Sequence, residues 1–418
     1  MNRSLTWLLA WAFALPAQAD YLPDAAAAIA VLRQAPAVVQ ARAERDAQNI
    51  KSAALAGGRE EWSVAAELAQ RRVQTAPRDV QADWGLALSR PLRLPARAAA
   101  ERTLAGALAA YADAGLDETL HEAGRHLLGL WFDWLKESVQ AQWWDEQVTL
   151  ATRQLDAVNA RIRLGEAPRA ERVNAEAALG QARTQQWQSA QRAREAQGRL
   201  LAQYPGLQTD AAIALPAPTP PAGTAEAHVE AVLAHNHELA RARRHAALLQ
   251  AEARQLAARR SADPTLGVFY RNESGGDERV LGVSVGLALP GAARRGDQEA
   301  AERLSLAAEM AALQVEQRLR QEARTDFETA VAAAAGWQQA ASTALALEEA
   351  ARLAARAYEL GEGSLDQVLL TRRLAIEGRM QAQQAQVAAL AAQARLALDA
   401  HRLWPGLYAD DAQLAHRD

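Results

Sequence analysis

With no cysteine among its 418 residues, any metal chemistry in this chain would have to come from histidines and carboxylates. Four histidines fall in close pairs, His121 with His126 and His235 with His237. Two helical imidazoles share a metal when they stand four residues apart on one face. Spacings of five and two turn the rings to different faces, and His235 and His237 have no carboxylate partner fixed by spacing. The spacing therefore predicts no metal site. Without cysteine there can be no disulfide, no thiolate centre and no lipid-bearing N-terminal Cys. The sequence also lacks a Gly-rich phosphate loop, a dinucleotide fingerprint and a G-x-S-x-G elbow. No catalytic residue and no cofactor is expected, and the chain reads as a non-enzyme. Asn272-Glu273-Ser274 fits a glycosylation sequon but is discounted. Trp131, Trp134, Trp143 and Trp144 are expected to pack a helical interior rather than bind a ligand.

Two similar stretches stand out instead, "RLGEAPRAERVNAEAAL" and "YELGEGSLDQVLLTRR". Each sets Leu-Gly-Glu between long helical patterns: Leu164-Gly165-Glu166 and Leu360-Gly361-Glu362. Gly165 and Gly361 suit turns that need positive φ. Glu171 and Asp366 follow the two turns, with Arg169, Arg172, Arg372 and Arg373 close by. Read from the residues alone, these carboxylates are part of a solvated charged face.

The elements that would position these turns are unusual. Residues 1–19 have Arg3, an apolar run from Leu5 to Leu15 and Ala17-Gln18-Ala19, the pattern of a secretory signal peptide; the alternative is a buried N-terminal helix. No later apolar run of about 18 residues would span a membrane as a helix. A net charge of −4 gives no reason to expect nucleic acid. Residues 22–56 read as one helix. Strands are predicted at about 61–73 and 80–90, around the turn signal Ala76-Pro77-Arg78-Asp79. A helical pattern then runs from about Ala96 to Leu164, ~100 Å if unbroken. A tip follows at 164–168, and a second long helix ends at Tyr204-Pro205-Gly206-Leu207. After a Pro-rich linker at 208–224 the order recurs. A helix spans about 225–260, strands about 264–272 and 279–290, and a long helix about 295–359. The second tip falls at 360–364, and a last helix precedes Trp404-Pro405-Gly406-Leu407. Gly85 and Gly286, Gly165 and Gly361, and Pro205 and Pro405 pair at an offset of about 200 residues, which predicts an internal duplication. The two repeats are 20–207 and 225–407, with a tail at 408–418.

The long helices read as seams. Leu369, Ile376, Met380, Val387 and Leu390 form an a/d stripe, as do Val148, Leu155, Val158 and Ile162. The strands alternate. Leu281, Val283, Val285, Leu287 and Leu289 share one face, with Gly282, Ser284, Gly286 and Ala288 on the other. That suits a barrel wall between lipid and water, with Trp62, Trp84, Phe269 and Tyr270 as interfacial aromatics. Four strands cannot close a membrane barrel, since the smallest have about eight, so several copies would have to share one.

The duplicated plan, the two tip motifs and the passage "GLALPGAARRGDQEAAER" together resemble the TolC family of outer membrane efflux proteins, over essentially all of the chain after residue 19. The length is similar to the heavy-metal branch typified by CzcC. The resemblance implies an α plus membrane β-barrel fold. As a homotrimer, helix–β-hairpin–long-helix–tip–long-helix repeats would build a twelve-stranded barrel in outer membrane lipid and a long α-helical periplasmic tunnel. It implies a Gram-negative outer membrane location, a periplasmic adaptor (membrane fusion) protein and an inner-membrane pump of RND or ABC type as partners. The tips Leu164, Gly165, Glu166, Leu360, Gly361, Glu362 and Ser364 would face the adaptor. Tyr358, Glu171, Asp366 and Gln367 would stand at the entrance; Tyr358 matches the family's tip tyrosine and Glu171 its first-hairpin acid. The resemblance implies that Glu171 and Asp366 line a pore, held by Arg169, Arg172, Arg372 or Arg373, where symmetry copies would repel one another and favour cations or a basic partner. Gly363 occupies the place of the family's tip arginine. With Pro168 stiffening the first tip, the second is expected to move more. The function so implied is a passive duct exporting metal cations or drugs. The alternatives are a soluble periplasmic coiled-coil adaptor or structural protein, and a duct for type I protein secretion.

Overall fold

The computed structural model describes residues 21–74, 79–209, 213–289 and 291–408. The expected signal segment, the turn at 76–78 and nearly all of the tail lie outside them. The element order is α1 (Ala25–Gln34), α2 (Pro36–Gly57), β1 (Ser63–Val73), β2 (Asp79–Pro91), α3 (Pro95–Arg163), α4 (Arg169–Gln203), then α5 (Ala225–His235), α6 (His237–Ala258), β3 (Thr265–Glu273), β4 (Glu278–Gly286), α7 (Ala292–Glu359) and α8 (Leu365–Asp399). Helices of 10, 22, 69 and 35 residues in the first half answer to 11, 22, 68 and 35 in the second.

Two expected helices are each divided. Residue 35 precedes Pro36, whose ring drives it out of the α region; its ψ is 134°. At the matching point Asn236 leaves the helix, and its Oδ1 accepts from the Leu239 amide at 2.8 Å, starting α6 afresh. Strand β4 is shorter than predicted and ends at Gly286, although Leu287 and Leu289 beyond it remain exposed.

The described residues form two compact units, one from within 37–121 and 233–321, the other from within 21–36, 122–232 and 322–408. The first contains one antiparallel sheet of order β1-β2-β3-β4. Its central pair, β2 and β3, comes from different halves of the chain, with Leu86 opposite Tyr270 and Ala87 opposite Phe269. Side chains alternate across it. Val64, Leu68, Trp84, Leu86, Leu88, Leu266, Val268, Leu281, Val283 and Val285 are exposed on one face, up to 87% for Leu68. The other carries small and polar residues: Ser63, Ser89, Gly267 and Ser284 in one row, then Ala65, Ala87, Phe269 and Gly282. Arg71 there bonds Asp83 and Glu273, each at 2.9 Å.

The register corrects one expectation. Trp84 and Tyr270 lie on the apolar face with ring centroids 5.6 Å apart. Phe269, adjacent to Tyr270, necessarily points the other way. It covers Gly282, where an added Cβ would fall 2.4 Å from its ring, and it receives the Arg271 guanidinium at 5.0 Å.

Where strand gives way to helix, Glu101 is 2% exposed and accepts ion pairs from Arg93 at 2.7 Å and Arg97 at 2.9 Å. Burial works to raise its pKa, but Arg97 and Arg93 outweigh it and hold the carboxyl below its usual range. Arg93 also donates to the carbonyls of Ala56 and Leu55, capping α2. In the other unit Trp143, Trp144, Ala151, Leu179 and Ala182 form a core, packed by Val148, Leu155, Ile376 and Met380. The predicted seams of α3 and α8 meet there. The linker lies along α8, where Gln386 Nε2 donates to the Leu215 and Pro216 carbonyls and Gln393 to that of Thr219.

Candidate functional site: the paired helical tips

The two Leu-Gly-Glu triplets are the same helix ending made twice. After α3, the Gly165 amide bonds to the Ile162 carbonyl at 3.0 Å and that of Glu166 to Arg161 at 2.9 Å. After α7, Gly361 bonds to Tyr358 at 3.0 Å and Glu362 to Ala357 at 2.9 Å. This is the Schellman pairing, which satisfies helix-end carbonyls and puts one residue in the left-handed region. Gly165 has φ +78° and Gly361 +79°. Leu164, Gly165, Glu166, Leu360, Gly361, Glu362 and Ser364 are all exposed.

The next helices start differently. Pro168 precedes α4 without a side-chain cap, whereas Ser364 Oγ caps α8 by accepting from the Gln367 amide at 3.2 Å. Gly363 is needed for closeness. A Cβ there would stand 3.1 Å from the Tyr358 nitrogen and 3.3 Å from the Ala357 carbonyl carbon. An arginine at this position would have to push α7 and α8 apart.

Three side chains tie the two hairpins. The Tyr358 hydroxyl, from α7, donates to Glu171 Oε1, from α4, at 2.6 Å. Arg161, from the last turn of α3, donates to Glu171 Oε2 at 3.4 Å and to the Tyr358 hydroxyl at 3.3 Å. Its guanidinium also stands 5.3 Å from the centre of the Tyr358 ring. Burial first, and the bond to Glu171 second, push the Tyr358 pKa up, so the hydroxyl stays a donor. The bond to Tyr358 in turn raises Arg161.

Among the described residues, two of the four expected arginine partners are engaged elsewhere. Arg172 pairs with Glu176 at 3.5 Å and Arg373 with Glu377 at 3.6 Å, both one turn along their own helices. Local i,i+4 geometry takes them away from Glu171. Arg161 is the residue sequence reasoning missed. Its only signal is a basic side chain in a last helical turn, which many helices share. Gln367 is exposed, and the Asp366 side chain lies outside the described residues.

The histidines also pair otherwise than by spacing. His126 Nδ1 lies 3.1 Å from the Tyr204 hydroxyl, while His121 meets His237 across α3 and α6 with ring centroids 5.7 Å apart.

No protein-family profile matches the sequence, and no curated protein does. Solved structures do match in shape. The Campylobacter jejuni CmeC outer membrane channel superposes with a TM-score of 0.72 at 11% identity, over 95% of this chain and 89% of its own. VceC, an outer membrane protein of Vibrio cholerae, gives 0.69 at 15% identity over 91% and 95%. The open state of the Neisseria gonorrhoeae MtrE outer membrane channel gives 0.63 at 16% identity over 92% and 89%. The chain thus has the fold of outer membrane channel subunits, along nearly its whole length.

Proposed function

We propose that the chain is the outer membrane channel subunit of a tripartite efflux assembly, a passive trimeric duct with no reaction of its own. The observation that carries this reading is the sheet. It has one face of exposed Leu and Val and one of small and charged residues, which is the section of wall a lipid-embedded, water-filled barrel needs. Its edges, β1 and β4, carry unpaired backbone groups, and only pairing with further strands removes them within a bilayer. Three copies supply twelve strands. The exposed tips are the adaptor-facing surface, with an RND or ABC pump of the inner membrane as the energy source. The tie of Tyr358, Glu171 and Arg161 holds the entrance closed.

A soluble adaptor or structural protein fits less well, because water would face a contiguous apolar patch far larger than such proteins expose. Membrane fractionation followed by planar-bilayer recording tests the proposal. A heat-modifiable trimer that needs detergent and forms discrete channels supports it. Folded monomer in the periplasmic soluble fraction overturns it.

A further inference from the structure

Histidines distant in the sequence converge on the seam between α3 and α6. His121 is 3% exposed. His237 is the first residue of α6, fixed there by the Asn236 cap, itself only 7% exposed. The rings are inclined at 56°, and their ligand-capable nitrogens lie within 4.8 Å of one another. Further along the same seam Tyr111 of α3 packs on His245 of α6, with centroids 5.3 Å apart, and Arg241 stands 5.7 Å from the Tyr111 ring. These contacts hold the two helices in the register that brings His121 and His237 together.

We propose that His121 and His237 form a two-imidazole site for a borderline divalent cation of the copper(II), zinc or nickel class. Metal–imidazole bonds of about 2.0–2.1 Å let two nitrogens share one ion at separations up to about 4.2 Å. Small side-chain rotations therefore close the pair on an ion without moving either backbone. Neutral imidazole selects these metals over magnesium and calcium, which prefer oxygen. Water can fill the remaining coordination positions, leaving the ion exchangeable. The site does not depend on the proposed duct function: it rests on packing within one unit, and its test reads binding alone.

The test uses the full chain in detergent, without an affinity tag. Copper(II) is added, and its electron paramagnetic resonance spectrum is read for nitrogen couplings; zinc affinity is measured by calorimetry. One ion per chain with two imidazole couplings is expected. His237→Gln, at the half-buried position, should remove one coupling and weaken zinc binding at least about tenfold. His121→Gln should do the same, with circular dichroism confirming the fold. Unchanged couplings and affinity in His237→Gln would overturn the proposal, as would a wild-type chain that takes up no ion at micromolar metal.

Discussion

Tyr358→Phe isolates one atom of the tip tie. The ring stays, so Arg161 keeps its 5.3 Å contact over it, and Arg161 keeps Glu171 at 3.4 Å. What goes is the hydroxyl, with its 2.6 Å bond to a carboxylate and its 3.3 Å bond from Arg161. A hydrogen bond to a charged group contributes about 1.5–3 kcal/mol. Taking ~2 kcal/mol, the ratio of separated to tied hairpins rises about 30-fold in each protomer. If closure of the proposed trimer needs all three copies tied, even a partly populated separated state multiplies through it. The variant should then show larger and more frequent openings in planar bilayers. Spin labels at Glu166 and Glu362 should report a broader distance distribution. The reasoning is refuted if conductance, open probability and label distances all match the wild type.

Three further outcomes are expected. Glu101→Gln removes the carboxylate between Arg93 and Arg97, and breaking a buried pair costs about 3–5 kcal/mol, so the protein's melting temperature should fall. Because the Glu101 pKa is lowered in the fold, its stabilisation is complete above the unfolded value of about 4.3 and lost as pH falls through the lower folded value; acid melts should show the wild type approaching the variant. Gly361→Ala forces a Cβ into φ +79° and should destabilise the second tip by about 1–2 kcal/mol, read as faster amide exchange in residues 357–364. Gly282→Ala collides with the Phe269 ring and should change barrel conductance, with Phe269→Ala in the same chain restoring assembly; normal assembly and conductance in the single variant would contradict the sheet register.

The long elements were legible because their signals are periodic. Val148, Leu155, Ile376 and Met380 sit at heptad positions in the sequence and pack on one core in the structure. The tips were legible for a different reason: only glycine takes positive φ cheaply, and it stands at the same place twice. What stayed hidden depends on pairing between distant elements. Arg161 and Tyr358 meet only once α3 lies beside α7, and His121 and His237 only once α3 lies beside α6. Phe269 reads as an interfacial aromatic by its chemistry, which register overrides: a one-residue step reverses the face. The helix break at Ala35 was readable from Pro36, but the apolar periodicity on both sides masked it.

The composition of the tie bears on how the proposed entrance can be firm and still open. Both charged members, Arg161 and Glu171, belong to the first hairpin, while the second contributes only a neutral hydroxyl. Separating two hairpins that each held one charge would leave a desolvated ion on either side, a loss of several kcal/mol. Here Arg161 and Glu171 remain paired when Tyr358 leaves. Opening then exposes only a phenol that water can bond, so the cost per protomer stays near that of one charge-assisted hydrogen bond. The second tip is the member expected to move, although Ser364 caps its following helix and Pro168 alone guards the first. Mobility there must arise as hinge motion about Gly361 and Gly363, not as fraying of α8. Equal mobility of labels at Glu166 and Glu362 in Tyr358→Phe would rule out that division of roles.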